Sequence, residues 1–369
     1  MSHLTVRLIH LEMQGIPARG AAGHQGREVG MRRFAAVCAF VGTVVGVAAA
    51  ASAGTLDIVK QRGILNCGAN GEAPGYGVPD AQGTWKGFDV DYCRAIAAAI
   101  FNDPAKVKFV ALTAKDRFTA LQTGDIDVLV RQATWTSSRE AQFGLNATAV
   151  NYFDGQGFLV RKSLNVKSAL ELGDATVCVG QGTTTELNLA DYFRTHNMRL
   201  KTVTFLTINE AVGAYDSGRC TAYTTDASGL YGARLKLAKP DDHVVLPEII
   251  SKEPLAPFVR QGDSQWFDVV RWVHFALVIA EEQGLTQANV DEQAKTTTTP
   301  ELKRILGREG NFGEQLGLTN DWVVRIVKGV GNYGEVFDRN LGEGSPLKIK
   351  RGLNALWTKG GLQYAPPIR

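Results

Sequence analysis

The sequence predicts an α/β fold made of two lobes of similar build. Residues 124–130 form a short, apolar, β-branched run after an initial Gly, which is typical of a buried parallel strand. The passage 120–128 is matched by 214–222, and each combines a helix end, a small-residue cap with Gly, and a strand. Because 369 residues suffice for about two domains, we expect one copy of this layout in each lobe.

Composition and charge are those of an ordinary globular protein. Hydrophobic residues make up 44% of the chain and charged residues 21%. The formal net charge of +3 is small and no basic run is present. Nucleic acid is therefore not a predicted partner.

The first 53 residues are predicted to be a leader with a signal peptide. Arg32 and Arg33 precede an apolar run at 34–50, and Ala51-Ser52-Ala53 fits a cleavage site. The run is too short for a comfortable transmembrane helix. We expect export and cleavage after Ala53. The start codon, Met1 or Met31, and the export route stay open.

The cysteines suit an oxidising compartment. Cys38 leaves with the leader, and Cys67, Cys93, Cys178 and Cys220 form an even set. Of the three pairings, we favour Cys67–Cys93 in the first lobe and Cys178–Cys220 in the second, with buried free thiols as the alternative. No metal site is predicted, since neither C-x-x-C nor clustered His is present.

Polar side chains follow matched strands of the two lobes. Gln132, Thr134 and Arg139 come just past the strand at 124–130, at the end where open α/β sheets bind ligands. Asp226 holds the position in the second copy that Gln132 holds in the first. A guanidinium suits a carboxylate and an Asp suits an ammonium, so the pair predicts a zwitterionic α-amino acid as ligand. A surface ion pair is the alternative for Arg139.

Several passages resemble a known family. Residues 127–139, 181–186 and 219–226 resemble motifs of periplasmic solute-binding protein family 3, which binds polar amino acids. The tail segments 331–342 and 351–367 resemble the general L-amino-acid subgroup of ABC transporters. The resemblance covers nearly all of the chain after the leader. It implies a type II periplasmic binding protein, with two α/β lobes joined by two hinge strands and a helical C-terminal extension.

The predicted domains follow from this resemblance. They are the leader at 1–53, the first part of lobe 1 at 54–155, lobe 2 at 156–247, and the return to lobe 1 with the C-terminal extension at 248–369. The crossovers between the lobes are expected at 152–160 and 243–251.

The resemblance also implies structural roles for particular residues. Asp89 is expected to cap the helix at 92–101. Apart from the resemblance, the aromatic residues Tyr333, Phe337 and Trp357 are expected to lie in the core and not to form a ligand platform.

The second lobe is expected to contribute a helix N-terminus to the ligand site. Gln181, Thr183 and Thr184 precede a helix, where hydroxyls and unpaired N–H groups favour the substrate carboxylate. Simple N-capping by Thr is the alternative, and both roles are compatible.

The side-chain pocket is expected to be permissive. Asn70 aligns with an acidic residue of the basic-amino-acid members, and Ala73 and Ala114 are small residues in the same region. A neutral Asn and two small residues impose no charge requirement, so the resemblance implies broad specificity.

Two classes of function compete. The first is a monomeric periplasmic binding protein that delivers L-amino acids to the inner-membrane permease subunits of an ABC importer. The second is a dehydratase-like enzyme on the same fold. No nucleophile elbow, Ser–His–Asp order or metal-ligand spacing is present, so no catalytic residue and no cofactor is predicted. Glu72 is the one spare carboxylate beside the expected cleft, and a sensory receptor module is a third option.

Overall fold

The first lobe is built on a sheet with three parallel neighbouring strands. The computed structural model describes residues 53–369. The elements before the first crossover are α1 (Thr55–Arg62), β1 (Leu65–Ala69), β2 (Val78–Pro79), β3 (Trp85–Lys86), α2 (Phe88–Phe101), β4 (Val107–Ala111), α3 (Arg117–Thr123), β5 (Val128–Leu129), α4 (Ser137–Phe143) and β6 (Leu145–Ala147). β1 lies between β4 and β5 and is parallel to both. The carboxyl ends of these strands therefore share one edge of the sheet.

The second lobe repeats this arrangement. Between the crossovers lie β7 (Tyr152–Asp154), β8 (Gln156–Arg161), β9 (Thr176–Gly180), α5 (Thr184–Thr195), β10 (Lys201–Phe205), α6 (Ile208–Asp216), β11 (Ala222–Asp226), α7 (Ala227–Arg234) and β12 (His243–Val245). The sheet order is β10-β9-β11-β8-β12, with β9 parallel to both β10 and β11. The predicted two-lobed α/β fold is confirmed.

The rest of the chain returns to the first lobe. Its elements are β13 (Glu253–Leu255), β14 (Phe258–Arg260), α8 (Ser264–Glu282), α9 (Val290–Thr296), α10 (Pro300–Ile305), α11 (Phe312–Gln315), α12 (Trp322–Val330) and α13 (Tyr333–Asn340). β14 completes the first sheet in the order β4-β1-β5-β14-β6. α8 packs against α2, α12 and α13, and the large core of this lobe includes residues from all four helices. Within residues 53–369, no helix has the length and apolar character needed to cross a membrane.

The lobes are joined by β7 and β13, which pair antiparallel as a separate two-stranded sheet. The return crossover lies later than the expected 243–251, because His243–Val245 instead pairs with β8 as an edge strand of the second lobe. Across the hinge sheet Glu253 is the register partner of Asp154. Two acidic residues therefore lie side by side where the lobes meet.

The predicted capping role of Asp89 is wrong. α2 begins at Phe88, after Gly87 at φ 139°, and a Cβ on Gly87 would lie 2.1 Å from the carbonyl oxygen of Tyr76. That same carbonyl accepts the backbone N–H of Asp89, so a free N–H at the helix start is satisfied without a side-chain cap. The Asp89 carboxylate instead accepts the backbone N–H of Gln132 at 3.1 Å.

The C-terminal extension packs against the hinge. Asn354 forms two hydrogen bonds with the backbone of Phe153 in β7, accepting its N–H at 2.7 Å and donating to its carbonyl at 3.0 Å. Tyr333 and Phe337 are buried, as predicted. Trp357 is not in the core: it is 53% exposed, and its indole N–H donates to Glu282 at 2.7 Å.

Both favoured disulfides are present. Cys67 of β1 is bonded to Cys93 of α2, with Cα atoms 6.2 Å apart. Cys178 of β9 is bonded to Cys220, just before β11, with Cα atoms 5.7 Å apart. Each bond therefore links elements within one lobe and leaves the hinge free of covalent cross-links.

Candidate ligand-binding site

A cavity of about 350 Å³ lies between the two lobes. Its walls come from the carboxyl ends of the parallel strands in both sheets and from the loops that follow them. This volume is in the range of sites for small molecules. The predicted site residues that line it are Asn70, Gln132, Thr134, Thr183, Thr184 and Asp226, together with Ala73 and Ala114 of the expected side-chain pocket.

The lobes also contact each other beside the cavity. The Tyr76 hydroxyl donates to Ser228 at 2.7 Å, and Ser228 donates to Asp154 of the hinge. A second contact between the lobes joins the backbone N–H of Asn209, in the second lobe, to the Glu72 carboxylate of the first lobe, at 3.1 Å. The two lobes are therefore in contact beside the cavity, in a closed arrangement.

Gln132 is held in an unusual backbone conformation at the cavity wall. Its φ is +41°, in the left-handed region that few residues other than Gly adopt, and its N–H donates to Asp89. Its side-chain carbonyl accepts a hydrogen bond from Asn70 at 3.3 Å. Burial raises the pKa of Asp89 to about 7, whereas the bond from Gln132 and the charge of Arg131 lower it. Asp89 thus positions Gln132 from behind the site.

Thr134 and Thr184 meet across the lobes, and both contact a residue that the sequence did not single out. Their hydroxyls lie 3.2 Å apart and donate to the same oxygen of Glu253, at 2.6 and 2.7 Å. The other Glu253 oxygen accepts from Asn188 and Ser251, both at 2.7 Å. Glu253 therefore connects the hinge to both lobes. In this arrangement, the single proton of each Thr hydroxyl is donated to the Glu253 carboxylate.

Thr183 acts as the N-cap of α5. Its hydroxyl accepts the N–H of Glu186 at 3.1 Å and donates to the carbonyl of Gly180 at 2.7 Å. The capping alternative therefore holds for Thr183, which also lines the cavity. Gln181 is exposed and is not among the lining residues; its backbone N–H donates to Phe205 of β10 at 2.8 Å.

Arg139 lies behind the cavity wall and not among its lining residues. It is 6% exposed, and one guanidinium nitrogen donates to the carbonyl of Thr134 at 2.6 Å. Among the described residues, no carboxylate lies within 4.0 Å of it. Burial lowers the pKa of Arg139 to about 10, while Glu253 and Asp226 act to raise it.

Asp226 is the acidic group of the second lobe at the cavity. It ends β11, is 8% exposed, and uses its carboxylate in none of the hydrogen bonds found within residues 53–369. Burial raises the pKa of Asp226 well above its usual range, and nearby Asp154 and Glu253 raise it further. A cation in the cavity would favour the ionised form, so the site is suited to an ammonium group.

Two arginines at the cavity were missed. Arg117 and Arg131 both line it, and both are almost fully buried. The side-chain N–H (Nε) of Arg131 donates to the carbonyl of Leu112 at 2.7 Å. A signal for Arg117 was present: it comes three residues after Ala114, which the resemblance had already placed at the pocket. Its position at the start of α3 brings it to the same wall.

The lining residues offer charge and hydrogen-bonding groups, and they include no His, Cys, Ser or Lys. Buried His243 and His274 bond to Tyr215 and Tyr92 instead, at 2.6 and 2.9 Å. The reactive groups of the lining are therefore the carboxylates of Glu72 and Asp226, threonine hydroxyls and the phenol of Tyr223.

Comparison with known proteins identifies similar chains. Residues 65–304 match the model of the bacterial extracellular solute-binding proteins, family 3. The chain is 61% identical to the general L-amino acid-binding periplasmic protein AapJ of Rhizobium johnstonii, over 87% of this chain and 95% of that protein. It is 54% identical to the glutamate/glutamine/aspartate/asparagine-binding protein BztA of Rhodobacter capsulatus, over 88% and 96%.

A solved structure agrees over the same extent. An ABC transporter periplasmic binding protein from Brucella ovis, with glutathione bound, has 60% sequence identity and a TM-score of 0.85. The alignment covers 86% of this chain and all of that one, at 100%.

Proposed function

The chain belongs to the bacterial extracellular solute-binding proteins, family 3, and from that premise we propose that it binds L-amino acids of broad chemistry between its lobes for an ABC importer. The observation that carries this proposal is the cavity between the lobes, whose wall contains an unpaired buried carboxylate and buried guanidinium groups. A zwitterion satisfies both kinds of charge at once. The names of AapJ and BztA support amino acids as the ligand class.

We assign the two ends of the amino acid as follows. Asp226 binds the ammonium, because it is a buried carboxylate at the cavity with no hydrogen-bond partner among residues 53–369. Arg139 binds the α-carboxylate through the guanidinium N–H groups that its bond to Thr134 leaves free, which requires the side chain to reach the cavity from behind its wall. Gln132, Thr134, Thr183 and Thr184 shape the wall around the α-carbon. Gln181 reaches the ligand only if its loop moves, since it is exposed here.

Calorimetry on refolded, ligand-stripped protein tests this assignment. We expect chemically different L-amino acids to bind and to compete for one site, because Asn70, Ala73 and Ala114 leave room in the cavity. Decarboxylated amines and des-amino acids should fail, since each leaves one buried charge unpaired. If one amino acid binds and all others fail at millimolar concentration, the proposed breadth is wrong.

We propose that the protein is exported to the periplasm and acts there as a monomer that docks on inner-membrane permease subunits. The predicted domain boundaries, with a leader at 1–53, are part of this proposal; residues 1–52 lie outside the described part of the chain. Both disulfides support an oxidising compartment. The periplasmic relatives support the same location.

We expect the mature chain to begin at Gly54, directly before α1. N-terminal sequencing of protein from the periplasmic fraction tests this, together with a variant in which Ala51 and Ala53 are replaced by bulky residues that block cleavage. An intact N-terminus on wild-type periplasmic protein would contradict the cleavage site.

We infer that the ligand is released unchanged. The lining residues include no Ser, Cys, Lys or His, and the Asp226 carboxylate is assigned to the ligand ammonium, which supports binding over catalysis. Recovery of altered amino acid after prolonged incubation would favour the dehydratase-like alternative.

A further inference from the structure

We propose that Glu253 is a latch that holds the two lobes together around a bound ligand without touching that ligand itself. This inference rests on the proposed function, because a latch has an effect only where the lobes close on a ligand. It goes further by assigning part of the stability of the closed arrangement to a residue of the hinge. Glu253 lies in β13 and is 1% exposed.

The first observation is that the Glu253 carboxylate joins the two lobes. One oxygen accepts the hydroxyls of Thr134, from the first lobe, and Thr184, from the second, at 2.6 and 2.7 Å. The other oxygen accepts hydrogen bonds from Asn188 of α5 and from Ser251 of the return crossover, both at 2.7 Å. Hydrogen bonds to an ionised group are about twice as strong as those between neutral groups. Four such bonds at one buried position make a firm connection between the lobes.

The second observation is that this carboxylate has no free acceptor site for a ligand. An ionised carboxylate has about four lone-pair sites, and the four donors occupy them. Glu253 is also not among the residues that line the cavity, in contrast to Asp226. The ammonium group of an amino acid could reach Glu253 only by displacing one of its donors. The contacts of Glu253 therefore serve closure and not recognition.

The third observation is that the two sides of the latch belong to different lobes. The backbone N–H of Trp135 donates at 2.7 Å to Pro254, directly after Glu253, and so fixes β13 to the first lobe. Thr184 and Asn188 both lie in α5 of the second lobe. Hinge opening rotates one lobe against the other, and a bond of 2.7 Å is lost when its atoms move apart by about 1 Å. Opening therefore breaks the bonds from α5 to Glu253.

A latch of this kind affects all ligands equally. The apparent affinity for a ligand that needs the closed arrangement is reduced by the fraction of protein able to close. No ligand atom takes part in the bonds of Glu253, so their contribution is the same whichever amino acid is bound. Glu253 should therefore raise every affinity by a common factor and slow dissociation, and it should leave the order of ligands unchanged.

A different role for Glu253 would have the opposite effect. Burial lowers the pKa of Arg139 to about 10, and the negative charge of Glu253 acts against this. If Glu253 served only to neutralise Arg139, its removal would leave the guanidinium without a counter-charge. Arg139 would then attract the α-carboxylate of the ligand more strongly. The sign of the change in affinity therefore separates the two roles.

The test begins with Glu253→Gln, which keeps the size of the side chain and leaves one acceptor oxygen in place of two. We expect every amino acid that binds wild-type protein to bind about ten- to hundredfold more weakly, by the same factor, because bonds to a charged group are lost. Dissociation should be faster in stopped-flow measurements. Asn188→Ala removes one donor of α5 outside the cavity lining and should weaken binding by about three- to tenfold.

Hydrogen exchange provides a direct readout of closure. The amide of Asn209 donates to Glu72 of the other lobe and shares no partner with Glu253. In ligand-saturated protein, this amide should exchange faster in Glu253→Gln than in wild-type protein, whereas a purely local disturbance would leave its exchange unchanged. Glu248→Gln is the matched control, because Glu248 accepts the N–H of Ala169, within the second lobe, at 3.1 Å. It should change neither affinity nor exchange.

Several outcomes would overturn the latch. Unchanged or tighter binding by folded Glu253→Gln would do so, and so would a loss confined to one class of amino acid. Wild-type exchange at Asn209 in the saturated variant would also contradict it, even with weaker binding. If Glu253→Gln fails to fold, unchanged affinity of Asn188→Ala overturns the latch instead. If wild-type protein binds no amino acid, the proposed function fails, and equal Asn209 exchange in ligand-free wild-type protein and Glu253→Gln would then refute the latch separately.

Discussion

Asp226→Asn should reduce the affinity for every amino-acid ligand, with the overall fold unchanged. The substitution keeps the shape of the side chain and removes the charge that faces the ammonium. In the closed cavity both charges are largely desolvated, so the loss is roughly 2–5 kcal/mol, or about thirtyfold to several-thousandfold in affinity. Arg139→Ala should cause a similar loss at the carboxylate end. Calorimetry against several amino acids measures both effects.

The control for this experiment is Asp125→Asn, an equivalent change at an exposed position outside the cavity. It should leave all affinities unchanged. Substitutions of Asn70, at the side-chain pocket, should change the order of ligands and not remove binding as a whole. If folded Asp226→Asn and Arg139→Ala both bind amino acids as wild-type protein does, the charge clamp does not lie at these residues.

Removing the Cys178–Cys220 disulfide should produce the second large effect, on stability. The bond closes a loop with a sequence separation of 42, which corresponds to about 4 kcal/mol of lost chain entropy in the unfolded state, within the usual range of about 2–5 kcal/mol. The double variant Cys178→Ala and Cys220→Ala should therefore unfold at a lower urea concentration. The equivalent double variant of Cys67 and Cys93, with a separation of 26, should lose slightly less.

Mass mapping without reduction provides an independent check. The peptides that contain Cys178 and Cys220 should be linked in protein from the periplasm, and those of Cys67 and Cys93 should be linked to each other. Four thiols that can be alkylated in native material would contradict both bonds and the oxidising location with them.

Local patterns in the sequence were enough to predict the two-lobed architecture. The matched helix–Gly–strand passages are set by backbone preferences within a few residues. The structure contains two five-stranded sheets whose strands follow the same pattern of order. The favoured disulfides followed from assigning each Cys to a lobe. Gly124 is the left-handed cap of the helix end, as the matched passages predicted, but the strand predicted to follow it up to Val130 was too long, because regular pairing is confined to Val128–Leu129.

Two positions, Asp89 and Trp357, differ from the predictions because their partners lie far away in the chain. Asp89 was expected to cap a helix because the resemblance implies that role, but the partner of its carboxylate, the N–H of Gln132, lies 43 residues away. Trp357 was expected in the core, and not in a ligand platform, as an aromatic residue of the tail. Its actual exposure depends on the path of the tail over Glu282.

The sequence by itself determined the fold class, the lobe each Cys belongs to, and the opposite charges that follow the matched strands, because each of these depends on neighbouring residues and on the known direction of parallel strands. Only the tertiary structure decided which polar groups face the cavity without a partner. Thr134, Thr184 and Glu253 satisfy one another across two lobes and the hinge, whereas Arg117 is left with unused donors at the cavity wall. Such pairing depends on distances between segments far apart in the chain, and a buried charge becomes a binding group only where those distances leave it unpaired.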